Sequence, residues 1–320
     1  MDKKRILQIL IILCILAPLV VLAVLWGKNG DTYTADGYYF DTYVSVTVYS
    51  LKDSKYLNGC MELCDQYDKS LGRFNLGEMT AVNQQGYAGA YVSSDTYYLF
   101  ERALEFCDET NGAVDITVAP LLDLWGFTHN KAGTPTATQK PSDLEIRQAL
   151  KKVNYKKIKL YDGNKIKINE SGVETDLGFI AKGFVADKLK EYLVENGVKS
   201  AIISLGGNVV VIGSKPDGSD YNIGIKDPDN PESIIDSISV SDKSVVTSGT
   251  YERYVEYDGV KYHHILNTNT GYPVKTDVKS VTVISDSSLE GDALSTICLI
   301  LGEEKSKDIL DKYNAQAIFY

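Results

Sequence analysis

Between Ile6 and Trp26 the chain carries no charged side chain, and no other feature limits its possible folds so severely. At about 1.5 Å of helical rise per residue, these 21 residues reach across a hydrocarbon core of roughly 30 Å. Lys3, Lys4 and Arg5 stand just before the run, and such positive charge stays on the cytoplasmic side. The expectation is a cytoplasmic tail at 1–5, a transmembrane anchor at 6–26, a polar linker at 27–37 and a folded domain at 38–320 outside the membrane. A cleaved signal sequence is the rival. However, the run is longer than the usual apolar core of a signal and lacks a small-x-small pattern before Gly27. Leu13 before Cys14 does not suit a lipoprotein signal either. An uncleaved anchor is the better reading.

The roughly 285 residues beyond the anchor suffice for one large domain or two intimate ones. A net charge of −10 argues against nucleic acid as a partner, because binding its backbone needs a basic stripe. The five Cys form no CxxC and no Cys/His cluster, which points to buried free thiols instead of zinc or disulfides. G-x-G-x-x-G, G-K-[ST] and H-E-x-x-H are all missing.

Periodicity supplies the elements. "YYFDTYVSVTVYS" alternates around Val44, Val46 and Val48 as a strand does. From Ser54 to Leu71 a helical stripe runs through Leu57, Cys60, Met61, Cys64, Tyr67 and Leu71. A second helix spans about Ser94 to Thr110 and stops at Asn111-Gly112. Ser142-Asp-Leu-Glu145 reads as a capping box for a helix to about Lys152. Strands follow at Lys157 to Leu160 and Lys165 to Ile168, then a helix from about Ile180 to Glu195. Further strands fall at Ala201 to Ser204, Val209 to Ile212, Val245 to Thr247 and Val281 to Ile284. Helices near Asp292 to Leu301 and Lys305 to Tyr313 complete the chain. Strands and helices mix without strict alternation, so the class is α+β.

Several Gly-, Asp- and hydroxyl-rich turns lie at the ends of these elements: "GAVDITVAPLLDLWGF", "ETDLGFIAKGFVADKL", "SLGGNVVVIG", "TSGTYERY" and "HHILNTNTGYPV". Near the C-terminus "EGDALSTICL" stacks Asp292 and Thr296 one helical turn apart. Such a carboxylate and hydroxyl could hold a hard cation, or Asp292 could simply favour a helix start. Taken singly, each stretch has an ordinary structural explanation, as a cap, a turn or a core residue.

In this order, together with "LGRFN" and "MTAVNQ", these stretches resemble the ApbE family of FAD:protein FMN transferases, from about Tyr38 to the end. The resemblance implies a two-lobed, T-fold-related α+β domain around antiparallel sheets, with FAD in a cleft between the lobes. It implies Mg2+-dependent transfer of FMN from FAD to a Thr or Ser hydroxyl of an extracytoplasmic protein, with AMP released. Carried over by position, Asp292, Thr296 and the carbonyl of Phe179 are implied Mg2+ ligands, and His264 the residue that assists the acceptor hydroxyl. Phe40, Phe74, Ala113, Val114, Asp115, Asp176, Lys182 and Ile265 are implied FAD contacts. The implied partner is a flavoprotein bearing an Asp-x-x-[Ser/Thr]-Gly-Ala-[Ser/Thr]-like motif. No such stretch occurs in this chain, so self-modification is not expected. Two departures stand out: Asn267-Thr268 replaces the family's usual Asp-Pro, and Phe40 opens the segment that usually reads "MGT". Hydrolysis of FAD to FMN and AMP is the alternative within the same site, and a flavin-binding protein without catalysis is the alternative outside enzymes.

Overall fold

Val44, Val46 and Val48 alternate because they share one face of a strand, and all three are wholly buried. In a computed structural model, which describes residues 32–128, 137–230 and 232–320, that strand is the second arm of a hairpin. The arms are β1 (Tyr33–Tyr39) and β2 (Thr42–Val48), joined by Phe40-Asp41. Strand β1 therefore occupies part of the stretch read as a linker, and the single strand read over this region is a pair. The segments 1–5 and 6–26 lie outside the described residues. Among the described residues, no helix is long and apolar enough to cross a membrane.

Helix α1 (Leu57–Leu71) buries Leu57, Cys60, Cys64, Tyr67 and Leu71, the stripe its spacing demands. Next come α2 (Glu78–Gln85), the short β3 (Ala90–Tyr91) and α3 (Ser94–Glu109). Then follow α4 (Ala119–Trp125) and α5 (Asp143–Leu150), the latter opened by the expected capping box between Ser142 and Glu145. Strands β4 (Ile158–Tyr161) and β5 (Lys165–Ile168) precede α6 (Ala181–Glu195). Strands β6 (Ala201–Leu205) and β7 (Asn208–Ile212) turn about Gly206-Gly207, where Gly206 takes a φ of +62°. A hairpin of β8 (Tyr221–Lys226) and β9 (Ile234–Val240) leads to β10 (Ser244–Gly249). A second hairpin pairs β11 (Tyr254–Tyr257) with β12 (Val260–His263). The chain closes with β13 (Ser280–Ser285), α7 (Ser288–Leu301), α8 (Glu303–Lys312) and β14 (Gln316–Phe319).

Seven strands form the main sheet in the order β1, β2, β6, β7, β10, β13, β14, each antiparallel to its neighbours. Helices α1, α6 and α7 pack on it over the large core. Cys60, Cys64, Cys107 and Cys298 are buried free thiols, as expected. A smaller core of Leu121, Trp125, Phe127, Ile146 and Leu266 lies beneath α4, α5 and the β11–β12 hairpin. Within this second lobe Trp125 Nε1 donates to the carbonyl of Gly271 (2.8 Å). The Arg73 guanidinium, paired with Asp123 of α4, and the Thr268 hydroxyl, which donates to the Gly112 carbonyl, tie the lobe to the rest. The site lies along this junction.

Candidate active site

Asp292 does not cap its helix. The first turn of α7 is closed by Ser287, whose Oγ accepts the Glu290 N–H, and by Asp187 of α6, which accepts the N–H groups of Ser288 and Leu289 (2.8 and 2.9 Å). Asp292 lies further in, fully enclosed, with Oδ2 accepting the Gly183 N–H at 2.8 Å. Only glycine allows that approach: a Cβ on residue 183 would come within 2.6 Å of the Ser288 carbonyl carbon and 2.7 Å of Asp292 Cβ. Burial raises the pKa of Asp292, while Lys182, the Gly183 N–H and the Asn208 side chain pull it back. Asn208 biases this carboxylate, yet its own Nδ2 is buried with no hydrogen-bond partner. One turn on, Thr296 Oγ1 is 3.3 Å from Ser248 Oγ. Glu290, the other half of the acidic pair, turns away to Arg102 at 3.3 Å.

These residues fit a hard cation. Among the described residues no three His, Cys, Asp or Glu converge as a metal cluster, so an all-protein cage is absent there. What α7 offers is one buried carboxylate, Asp292, and one hydroxyl, Thr296, a turn apart, with the Gly183 N–H already bound to the carboxylate. Mg2+ suits such a sparse oxygen set, because it keeps waters and takes further ligands from phosphate. The raised pKa and the orphaned Asn208 amide mark a pocket whose polar groups are incompletely matched by protein.

His264 shares with Asp292 the charge of Lys182. Its backbone N–H donates to the Arg253 carbonyl (3.1 Å), and its Nδ1 lies 3.0 Å from the same oxygen. A carbonyl only accepts, so Nδ1 carries the proton and Nε2 keeps a free lone pair. Burial, with the positive charges of Arg253 and Lys182, pushes the His264 pKa down to about 3. The imidazole is neutral at physiological pH. His263 is engaged differently: its Nε2 donates to the Val274 carbonyl at 3.0 Å, which fixes it in packing. Lys182 links these groups, since its charge acts on Asp292, His264 and Glu252.

The remaining residues named from sequence divide between surface and scaffold. Phe40 has φ 54° and Asp41 φ 57°, so the β1–β2 turn holds two non-glycine residues in the left-handed region, with the Phe40 N–H bound to Asp68 at 2.6 Å. Phe74 lies half-buried with the Arg73 guanidinium 5.1 Å from its ring centre. Asp115 is buried and used: Oδ1 accepts from Thr117 N–H and hydroxyl, and Oδ2 accepts from Tyr155 N–H. The Asp115 carboxylate is thus spent within the protein, and Ala113 is the most open of Ala113, Val114 and Asp115. Asp176 Oδ1 folds back to the Gly178 N–H (2.7 Å), while Oδ2 sits 3.8 Å from Arg73. Ile265 is buried beneath the His264 strand end. Asn267 does the work expected of a turn cap, accepting the N–H groups of Asn269 and Thr270 (2.9 and 3.0 Å).

A family model described as the ApbE family matches residues 40–319. The chain belongs to the ApbE family. A relative from Treponema pallidum named FAD:protein FMN transferase is 35% identical over 254 residues, covering 73% of this chain and 68% of its own. Another so named, from Klebsiella pneumoniae, is 37% identical over 216 residues and covers 67% and 65%. Among solved structures, the ApbE protein of Thermotoga maritima superposes with a TM-score of 0.81 at 34% identity over 90% of this chain and 94% of its own. Flavin transferase ApbE from Vibrio cholerae gives 0.79 at 25% identity, covering 90% and 93%.

Within this ApbE fold, sequence reasoning passed over three charged residues. Arg73 is almost wholly enclosed, donating two parallel bonds to Asp123 (3.0 and 2.9 Å) and one to Glu174 (3.1 Å), and it ties α4 to the segment entering α6. A lone cation inside "LGRFN" was the available signal. Glu252 and Arg253 sit in "TSGTYERY". Solvent reaches Glu252, yet protein crowds its carboxylate and raises its pKa, with Lys182 the strongest opposing charge. Nothing in that stretch distinguished its charges from an ordinary solvated turn.

Proposed function

We propose that this chain is an FAD:protein FMN transferase anchored in the cell membrane with its catalytic domain outside the cytoplasm, moving FMN from FAD to a Thr or Ser hydroxyl of an extracytoplasmic protein. The observation that carries this reading is the neutral His264, its Nδ1–H tied to Arg253 and its Nε2 free, sharing the field of Lys182 with the buried Asp292. Asp292, Thr296 and the Phe179 carbonyl would hold Mg2+, which when bound neutralises charge on the phosphate oxygens. Lys182 holds the pyrophosphate by its charge. His264 Nε2 takes the proton of the acceptor hydroxyl as its oxygen bonds to the FMN phosphorus and the bond to AMP breaks. An anionic pyrophosphate beside Lys182 and Arg253 offsets the cations that depress the imidazole pKa, so its basicity rises when substrate is present.

The test is AMP release from FAD and Mg2+ by the full chain in detergent, with and without a Thr-bearing peptide of the motif type. Transfer predicts AMP only when peptide is present. AMP and free FMN without peptide would make the chain a hydrolase, and no AMP in either case would make it a flavin-binding protein.

A further inference from the structure

Val246 and Ser248 stand two residues apart on β10 and so face the same side of the strand. That side meets α7. A Cβ on Gly291 would lie 3.0 Å from Val246 Cγ2, and Ser248 Oγ reaches two helix hydroxyls, Ser295 Oγ at 2.7 Å and Thr296 Oγ1 at 3.3 Å. The reaction proposed above uses Thr296 and gives the two serines no part.

Each hydroxyl has one proton to give, so the direction of these bonds follows from the end that is fixed. Ser295 is wholly buried and donates to the Asp292 carbonyl at 2.9 Å, a group that only accepts. With that proton spent, the 2.7 Å contact requires Ser248 to donate to Ser295. Ser248 then has only lone pairs left for Thr296, and the Thr296 proton points to Ser248. A helical Thr often spends its hydroxyl on the carbonyl four residues back, but here that carbonyl, of Asp292, serves Ser295. Thr296 is also the one residue between Gly291 and Leu299 that is not buried, and it stands a helical turn from the Asp292 carboxylate. With its proton held by the sheet, what it offers the site is lone pairs. At 3.3 Å the last link is long, and a cation drawing on Thr296 Oγ1 strengthens it by making the O–H a better donor.

We infer that Ser248 and Ser295 are positioning residues of the cation site: a one-way chain of hydroxyls, ending on the Asp292 carbonyl, holds Thr296 with its lone pairs towards Mg2+. This rests on the cation reading of Asp292 and Thr296. The experiment titrates Mg2+ alone into the full chain in detergent and follows Tm. Ser248→Ala frees the Thr296 proton to swing into the site. The Mg2+ concentration at the midpoint of the Tm rise should then increase by about tenfold, the lower end for a residue that orients a metal ligand. Ser248→Thr keeps a hydroxyl and should restore the wild-type midpoint. Ser295→Ala should also raise the midpoint, although Ser295 is enclosed, because Ser248 then turns its proton to Thr296. Removing both serines should cost no more than removing Ser248 alone. An unmoved midpoint in Ser248→Ala or in Ser295→Ala would overturn the chain. Equal losses in Ser248→Ala and Ser248→Thr would reduce Ser248 to packing and overturn it too. No Mg2+ response in wild type would overturn the cation site and the chain with it. The titration contains no flavin, so a failure of FMN transfer would sink the transferase reading and leave this result standing.

Discussion

His263 and His264 are adjacent in sequence and opposite in circumstance. One gives its Nε2–H to the Val274 carbonyl, and the other keeps Nε2 free in a cationic field. His264→Ala should slow single-turnover FMN transfer by about 10²–10⁴-fold with FAD still bound, while His263→Ala leaves the rate nearly unchanged. Equal losses would assign the base wrongly. The same environment has a pH signature. The folded pKa of His264, about 3, lies below its ordinary 6.5. The unfolded chain therefore binds more protons there, and this residue's contribution to stability is present above pH 6.5 and lost as pH falls towards 3. Denaturant midpoints measured from pH 7 to 4 should fall more steeply for wild type than for His264→Gln; parallel curves would contradict the shift. Asp292 works the other way, since burial raises its pKa. Asp292→Asn keeps an acceptor for the Gly183 N–H while removing a buried charge, so Tm should hold or rise as transfer is lost. Mg2+ should raise the Tm of wild type and not of the variant; equal shifts would remove Asp292 from the cation site.

At the scale of elements, the site depends on how closely α6 meets α7. Gly183→Ala would gain about 1 kcal/mol of helix propensity. Against that, the added methyl meets the Ser288 carbonyl and Asp292 Cβ, and overpacking of this kind costs about 1–3 kcal/mol. The backbone cannot step aside, so the variant should melt lower and lose activity; a higher Tm would show that the helices have slack. Local pattern made some elements legible: the α1 stripe follows from spacing and the Ser142–Glu145 box from capping. The Phe40-Asp41 turn did not, because neither residue is the Gly or Asn that a left-handed turn ordinarily uses. Helix α7 was read as starting at Asp292, since its true start is fixed by Asp187 from another helix. A cap supplied across a hundred residues leaves no local trace.

For the whole molecule, α+β followed from the mixture of periods, but the strand order did not. β2 pairs with β6 across a stretch holding most of the helices, and such pairing is a property of the collapsed chain. The candidate site behaves likewise: Asp292, Thr296 and His264 were singled out through motif order, whereas Arg73, Glu252 and Arg253 emerged only once α4, β11 and α6 were brought together. Orientation is also a property at this scale. With Lys3, Lys4 and Arg5 before an uncharged run, added protease should remove the large domain from intact spheroplasts. A protected domain would place it on the cytoplasmic side. The central claim is covalent transfer, and peptide mass reads it most directly. The full chain, FAD, Mg2+ and a peptide of the Asp-x-x-[Ser/Thr]-Gly-Ala-[Ser/Thr] type should yield peptide heavier by FMN less water, with none formed by His264→Ala in the same time. Unmodified peptide beside FAD that wild type has already split would contradict it.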